Sequence, residues 1–511
     1  MSSNVTKINS VVILGIDATD IEVQVLVYSG IPSFSIVGLA DKTIAESKER
    51  VKAALNSMGL RLPPKKILVN LSPADLEKEG SHFDLAIAAA ILTHLNILPA
   101  ILIKKYIVLG ELSLDGKILP SAGVLPAAVH ATKIGKGIIC PYDNSEEASW
   151  SENKDILSPK SLLELINHFK GISNLEKINY SFNPKKREEN YVDLFDIVGQ
   201  QVAKRALIIA AVGNHNLLMY GPPGVGKSMI AKSICSILPD MNKKEMLESS
   251  MIYSVAGLLM DGLLPVTRPF RSPHQSASLA SIVGGGFGKK ISPGEISLAH
   301  NGVLFLDELP EFNMQVIDSL RQPLENQEIL ITRVNKHIKY PADFLLIGAM
   351  NPCKCGYLGN TEKQCSIAPR CSQKYLSKIS GPILDRFGMH IEINNISPFD
   401  KFAKNECESS ELVLEKVIKA RKRQQIRYKN YTFSTNSRAT LESIKKNVCF
   451  TNEAEEILKN SVNKFKLSMR AYISIIRLAQ TIVDFEDLEK IDQYAMSEAI
   501  NYRCLKTILQ N

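Results

Sequence analysis

Three short apolar runs stand out because each leads straight into residues with chemistry. Asn216-Leu-Leu-Met-Tyr220, Val303-Leu-Phe-Leu306 and Leu345-Leu-Ile-Gly-Ala-Met350 have the length of strands, and their lack of alternation marks strands buried on both faces. The first runs into a glycine loop, the second into Asp307-Glu308 and the third into Asn351. Val202 to Val212 and Met229 to Leu238 have helical spacing, the latter stopping at Pro239. This mixture predicts an α/β unit over residues 193–400. Residues 436 to 511 read as all-helical, with breaks near Thr451 and Phe485, and a helix starts near Glu411, so 401–511 should be a helical lid.

The first third has a different rhythm. Val11 to Leu14, Ile21 to Val27, Ser33 to Val37 and Ile67 to Leu71 predict strands. Thr43 to Met58 and Asp84 to Leu95 predict helices, and Gly110 to Pro120 a hairpin turning at Asp115-Gly116. Residues 1–173 should therefore form a second α/β unit. Between the two units, 174–192 turn polar with no surviving period, as a linker does.

Composition narrows the class. At 511 residues the chain exceeds one core, and 45% hydrophobic with 22% charged residues is an ordinary soluble mix. A net charge of +8 permits a polyanionic partner without requiring one. Nine cysteines, an odd number, argue for a reducing cytoplasm rather than a disulfide framework. The first ten residues lack the apolar core of a signal peptide. The most membrane-like run, Phe83 to Ile103, carries Asp84, His94, Asn96 and Pro99, so it reads as a buried helix and turn, and no membrane partner is expected.

The candidate chemistry centres on Gly221-Pro222-Pro223-Gly224-Val225-Gly226-Lys227-Ser228, which fits G-x-x-x-x-G-K-[ST] between a strand and a helix. Such a loop curls backbone N–H groups around phosphates, aided by the helix N-terminus. Lys227 should reach the β- and γ-phosphates of ATP, and Ser228 should bind Mg²⁺. Asp307 should hold the same Mg²⁺, and Glu308 should polarise the attacking water.

Further positions come from resemblance. The block Asp193-Leu-Phe-Asp-Ile-Val-Gly-Gln200 is similar to one that precedes the phosphate loop in AAA+ ATPases. There its backbone frames the adenine, which implies Ile197, Val198 and Gly199 for that contact. Asn351 matches the sensor 1 amide that orients water. In Ser380-Gly-Pro-Ile-Leu-Asp-Arg386, Arg386 matches the arginine that reaches a neighbouring subunit's nucleotide. Arg470, at the start of a helix over Ala471 to Val483, matches sensor 2, with Arg477 as the alternative.

The order of segments resembles the magnesium-chelatase-like branch of these ATPases and, within it, the ComM (YifB) family. The Arg268-to-His274 and Pro293-to-Glu308 blocks carry that likeness, although Gln275 stands where the family usually has a second His. Members are bacterial, cytosolic and hexameric, and the family is implicated in natural transformation as an ATP-driven branch-migration helicase. The resemblance thus implies a homo-hexameric ring acting on single-stranded or branched DNA. It also implies that Glu328 to Tyr340, a hairpin candidate turning at Asn335-Lys336, points into the pore. The basic residues there, Arg333, Lys336, His337 and Lys339, suit phosphates, or they form an ordinary solvated loop.

In the first third, Lys78 to Asp84, Gly110 to Gly116 and Ala122 to Pro126 resemble the Lon-type protease domain. His82 sits where that family has its nucleophilic Ser, and Leu125 where it has its activating Lys. The expectation is a degenerate Lon-like fold without peptidase activity. Cys353, Cys355, Cys365 and Cys371 crowd the loop after Asn351 and suggest either a zinc site or plain thiols. A basic run, Ala420 to Lys429, would touch DNA, cover the nucleotide or lie solvated. Two other functions remain compatible: a protein remodeller or chelatase-like motor without DNA, and a DNA-binding protein whose ATP only drives assembly.

Overall fold

The computed structural model describes residues 5–39, 41–176, 191–259, 265–286, 291–333, 336–356, 365–366, 370–394 and 408–503. Most of the expected linker, and the expected hairpin turn at Asn335, lie outside these.

The first unit is built on a seven-stranded sheet. Its order is Ser33–Val37, Lys66–Ser72, Asp17–Tyr28, Thr6–Leu14, Tyr106–Val108, Gly137–Ile139 and Ile156–Leu157. Thr6–Leu14 pairs antiparallel with Asp17–Tyr28, Leu14 facing Asp17 across a two-residue turn in which Gly15 takes φ +69°. The strand starts five residues before the apolar run because Ile8 and Ser10 alternate inward first. The membrane-like run is the helix Asp84–His94, buried from Asp84 to Thr93. Asp84 is buried there because Arg50 meets it with two hydrogen bonds, at 2.6 and 3.1 Å.

The second unit has a five-stranded, all-parallel sheet in the order Phe270–Arg271, Val303–Leu306, Leu345–Met350, Leu217–Tyr220 and Met389–Glu392. The three apolar runs are its three central strands, buried on both faces. The two edge strands escaped notice, being short and interrupted by Arg271 and His390.

The lid helices Ser410–Arg427, Leu441–Asn447, Asn452–Phe465, Met469–Glu486 and Gln493–Asn501 do not form a separate core. Ile475, Leu478 and Ala479 pack in one cluster with Leu217, Met219 and Ile347 of the sheet. Thr451 caps one helix by accepting from the Ala454 N–H, and Asp487 in the left-handed region ends another, which explains both expected breaks. Part of the basic run is tied into the structure rather than solvated. Arg421 donates twice to the Ala211 carbonyl and Arg427 reaches Asp484 at 2.8 Å, so these cations tie the lid to the motor and to itself. Only Lys422, Gln425, Ile426 and Lys429 of that stretch are fully exposed.

The two α/β units meet through a dry patch of Leu125, Trp150, Met241, Met246 and Val266. Beside it, buried Glu147 accepts from the Leu125 N–H at 3.0 Å and from the Ser254 hydroxyl across the interface.

Candidate active site

Strand Leu217–Tyr220 delivers the glycine loop to the C-terminal edge of the sheet, where ligands bind in parallel sheets. Gly224 and Gly226 take φ +81° and +90°, conformations that side chains disfavour. Gly221 lies so close to the Ile393 carbonyl that no Cβ fits. Lys227 opens the helix Lys227–Ile237 and is nearly buried. Its ammonium donates to the carbonyls of Gly221 at 2.6 Å and Pro222 at 2.9 Å, and to Asn351 Oδ1 at 2.8 Å. Burial lowers its pKa, opposed by the Asp307 and Glu308 carboxylates.

Ser228 Oγ donates to Asp307 Oδ2 at 2.6 Å, so two oxygen ligands suited to Mg²⁺ already point to one spot. The other oxygen of Asp307 accepts from the Glu308 N–H at 2.9 Å. Glu308 itself adopts φ +50° and is exposed, which frees its carboxylate to face solvent over the loop. Thus Lys227, Ser228, Asp307, Glu308 and Asn351 come together at one edge.

Ile197 is buried and Gly199 has φ +63°. The block carrying them with Val198 is pinned to the same edge: Gln200 donates to the Asn394 carbonyl at 2.8 Å, next to Ile393. It is also pinned to the lid, since Asp193 accepts from Ser410 Oγ at 3.0 Å.

Arg386 and Arg470 sit elsewhere. The Asn216 side chain, at the beginning of strand Leu217–Tyr220, donates to the Arg386 carbonyl at 3.0 Å. Arg386 is therefore at the N-terminal edge, a strand length or ~13 Å from the loop. Its guanidinium meets Glu325, and Arg470 donates to the same carboxylate oxygen at 3.2 Å. These residues line a cavity of about 310 Å³ together with Arg438 and Arg477. Arg477 donates twice to the Ala439 carbonyl, which leaves Arg470 as the more exposed candidate. Asp385 pairs with Arg503 instead of Arg386. Glu325 was missed in the sequence, because nothing in Leu324-Glu325-Asn326 marks it.

The hairpin exists, Glu328–Arg333 pairing with Lys336–Pro341. Ile331, Ile338 and Tyr340 anchor its base in the core. Lys339 pairs with Glu328 at 3.1 Å, so one expected phosphate contact is already neutralised. The side chains of Arg333 and Lys336 lie outside the described residues.

In the first unit, His82 Nε2 meets the Val11 carbonyl at 3.0 Å, and Leu125 is fully buried in the interface between units. Ser81 donates to Glu111, so no amine or imidazole takes its proton. Ser81, His82 and Glu111 line a cavity of about 420 Å³ that Ile338 and Tyr340 of the hairpin base also line.

Comparison with known proteins agrees with this architecture. Residues 193–400 match the family described as magnesium chelatase, subunit ChlI; residues 21–144 and 407–503 match the ChlI subunit and ChlI C-terminal families. The chain is 39% identical over 507 residues to the competence protein ComM of Haemophilus influenzae, covering 97% of both. It belongs to the ComM/YifB family. YifB of Escherichia coli is 38% identical over 500 residues, covering 97% of this chain and 96% of YifB. The magnesium-chelatase 38 kDa subunit of Rhodobacter capsulatus is 27% identical over 219 residues, 40% of this chain. A ComM/YifB chain is thus a magnesium-chelatase-like AAA+ protein, with an α/β first unit, a parallel-sheet ATPase unit and a helical C-terminal part. No described helix is long and apolar enough to cross a membrane.

Proposed function

We propose that this chain is an ATP-hydrolysing ring motor that works on DNA in the cytoplasm, most simply by moving branch points in recombining strands. The observation that carries the ATPase part is the division of its charged groups between two sheet edges. The C-terminal edge has a phosphate loop, a metal-binding pair and an exposed carboxylate. The N-terminal edge has Arg386 and Arg470 around one carboxylate. Neighbouring copies in a homo-hexamer would bring the second edge against the first, supplying cations to the transferring phosphoryl group.

In that arrangement Gly221 to Ser228 wrap the phosphates and Ile197 to Gly199 frame the base. Ser228 and Asp307 would hold Mg²⁺, which would supply neutralisation of phosphate charge. Lys227 exchanges its carbonyl partners for phosphate oxygens. Asn351, released from Lys227, and Glu308 orient and polarise the attacking water. The first unit is a Lon-like fold that has lost peptidase chemistry.

The DNA part rests on three observations: similarity to a protein named for competence, the net charge of +8, and the basic hairpin anchored in the motor core. Arg333, Lys336 and Lys339 would grip phosphates there, Lys339 after leaving Glu328. The likeness to a chelatase subunit, with Lys339 already paired, favours a second reading, a motor that remodels a protein partner. ATP hydrolysis with and without single-stranded and branched DNA separates them, using Lys227→Ala as the blank. Stimulation by DNA of several-fold supports the first reading, and hydrolysis indifferent to DNA supports the second.

A further inference from the structure

The four cysteines after Asn351 are brought together from two segments. Cys353 and Cys355 lie in a tight turn closed by Gly356 N–H to Cys353 C=O at 3.0 Å. Cys371 opens the short helix Arg370–Leu376, with Cys365 just before it in the chain. The Cys353 and Cys355 sulfurs are 3.0 Å apart, those of Cys365 and Cys371 are 3.3 Å apart, and the Cys353, Cys355 and Cys371 sulfurs all lie within 4.8 Å of one another. A tetrahedral Zn–S length of ~2.3 Å puts sulfurs ~3.8 Å apart, so opening the two close pairs and drawing Cys365 in towards the other three accepts one ion. Four sulfurs without a hard oxygen ligand select a soft, tetrahedral cation.

Both segments lean on the nucleotide site. On the turn side, Gly356 takes φ +83° and a Cβ there would sit 2.7 Å from Pro223 of the phosphate loop. The turn begins two residues after Asn351, which holds Lys227. On the helix side, buried Tyr375 lies close to the Asn351 backbone and to the Glu311 and Glu308 carboxylates. Ser372 Oγ ties helix to turn through the Pro352 carbonyl at 2.8 Å.

We propose that the four cysteines bind one zinc ion, and that this ion locks the turn and the helix together so that Pro223, Asn351 and Glu308 are held in register for ATP hydrolysis. The ion is a clamp and takes no part in the reaction. The cysteines are positioning residues, because they touch the catalytic groups only through the turn and Tyr375. The effect of the metal on turnover rests on the ATPase reading above, whereas its binding does not.

The test uses the full-length chain purified under reducing conditions. Metal content should be about one zinc per chain in the wild type and in Lys227→Ala, and under a fifth of that in Cys371→Ser. Cys449→Ser, at an exposed lid position, is the control and should keep both metal and hydrolysis. Chelation of the folded wild type, monitored by circular dichroism, should cut ATP turnover at least tenfold. Zinc addition alone should restore it, with magnesium held constant throughout. Retention of zinc by Lys227→Ala without hydrolysis separates loss of the site from loss of catalysis. Wild-type protein with no stoichiometric zinc overturns the site, and unchanged turnover after zinc removal overturns the clamp.

Discussion

The two edges of the motor sheet hold opposite charge arrangements. At the C-terminal edge one lysine is satisfied by carbonyls and an amide, beside the Asp307 carboxylate bonded to Ser228 and the exposed Glu308. At the N-terminal edge two arginines from different parts of the chain share one carboxylate, and burial together with the neighbouring Arg470 lowers the Arg386 pKa. In the proposed reading the first edge receives phosphate and metal and takes its outer cation from a neighbouring copy. The second has cations in surplus but no loop to wrap a phosphate. Each supplies what the other lacks, which is why the chemistry reads as belonging to a junction between copies.

The largest effect should follow from breaking the receiving edge. Lys227→Ala should reduce ATP turnover at least a thousandfold in a steady-state assay, since the buried ammonium is the only cation bonded within the loop among the described residues. Glu308→Gln should lose ~10²–10³ in turnover while still binding ATP, as measured with a fluorescent analogue. Breaking the donating edge should come next. Arg386→Ala should cost ~10³ in turnover with ATP affinity changed only a few-fold, if the arginine acts on the transition state.

A pH prediction sharpens the same edge. His215 borders the arginine cavity, bonded to Thr481 at 2.8 Å and facing Arg477, while His390 lies against Arg503. Burial is the larger cause and the nearby arginine the second; each imidazole is pushed down to about 3. The unfolded chain therefore binds more protons than the fold below the ordinary histidine value of ~6.5. Stability should be full above that value and fall as pH drops towards 3, by up to ~1.4 kcal/mol per pH unit for each histidine. Thermal melts at pH 7 and pH 5 check this, and His215→Gln should flatten the dependence. The smallest effect belongs to Glu325→Gln. Releasing the largely buried Arg386 and the half-exposed Arg470 should lower the protein concentration giving half-maximal hydrolysis a few-fold.

The same contrast explains what the sequence revealed. The receiving edge is one contiguous loop plus residues that end apolar strands, so periodicity and the G-x-x-x-x-G-K-[ST] spacing locate it almost completely. The donating edge is assembled from Glu325, Arg386 and Arg470, which no local period connects. Resemblance supplied the two arginines, and only the fold put them together on Glu325. Lid and motor looked separable because their apolar faces are each regular, yet Leu217 and Ala479 share a core. The basic run misled for a similar reason. Its charges have helical spacing suited to a solvated face, but Arg421 and Arg427 find the Ala211 carbonyl and Asp484, which are distant in the chain.

The most direct measurement mixes two inactive chains. Glu308→Gln lacks the receiving chemistry and Arg386→Ala lacks the donating one. If each site is completed by its neighbour, an equimolar mixture should regain roughly a quarter of wild-type ATP turnover. Random assembly makes about that fraction of junctions intact, and independent junctions contribute in proportion. A mixture that forms mixed rings yet stays as inactive as its parts would contradict the shared site.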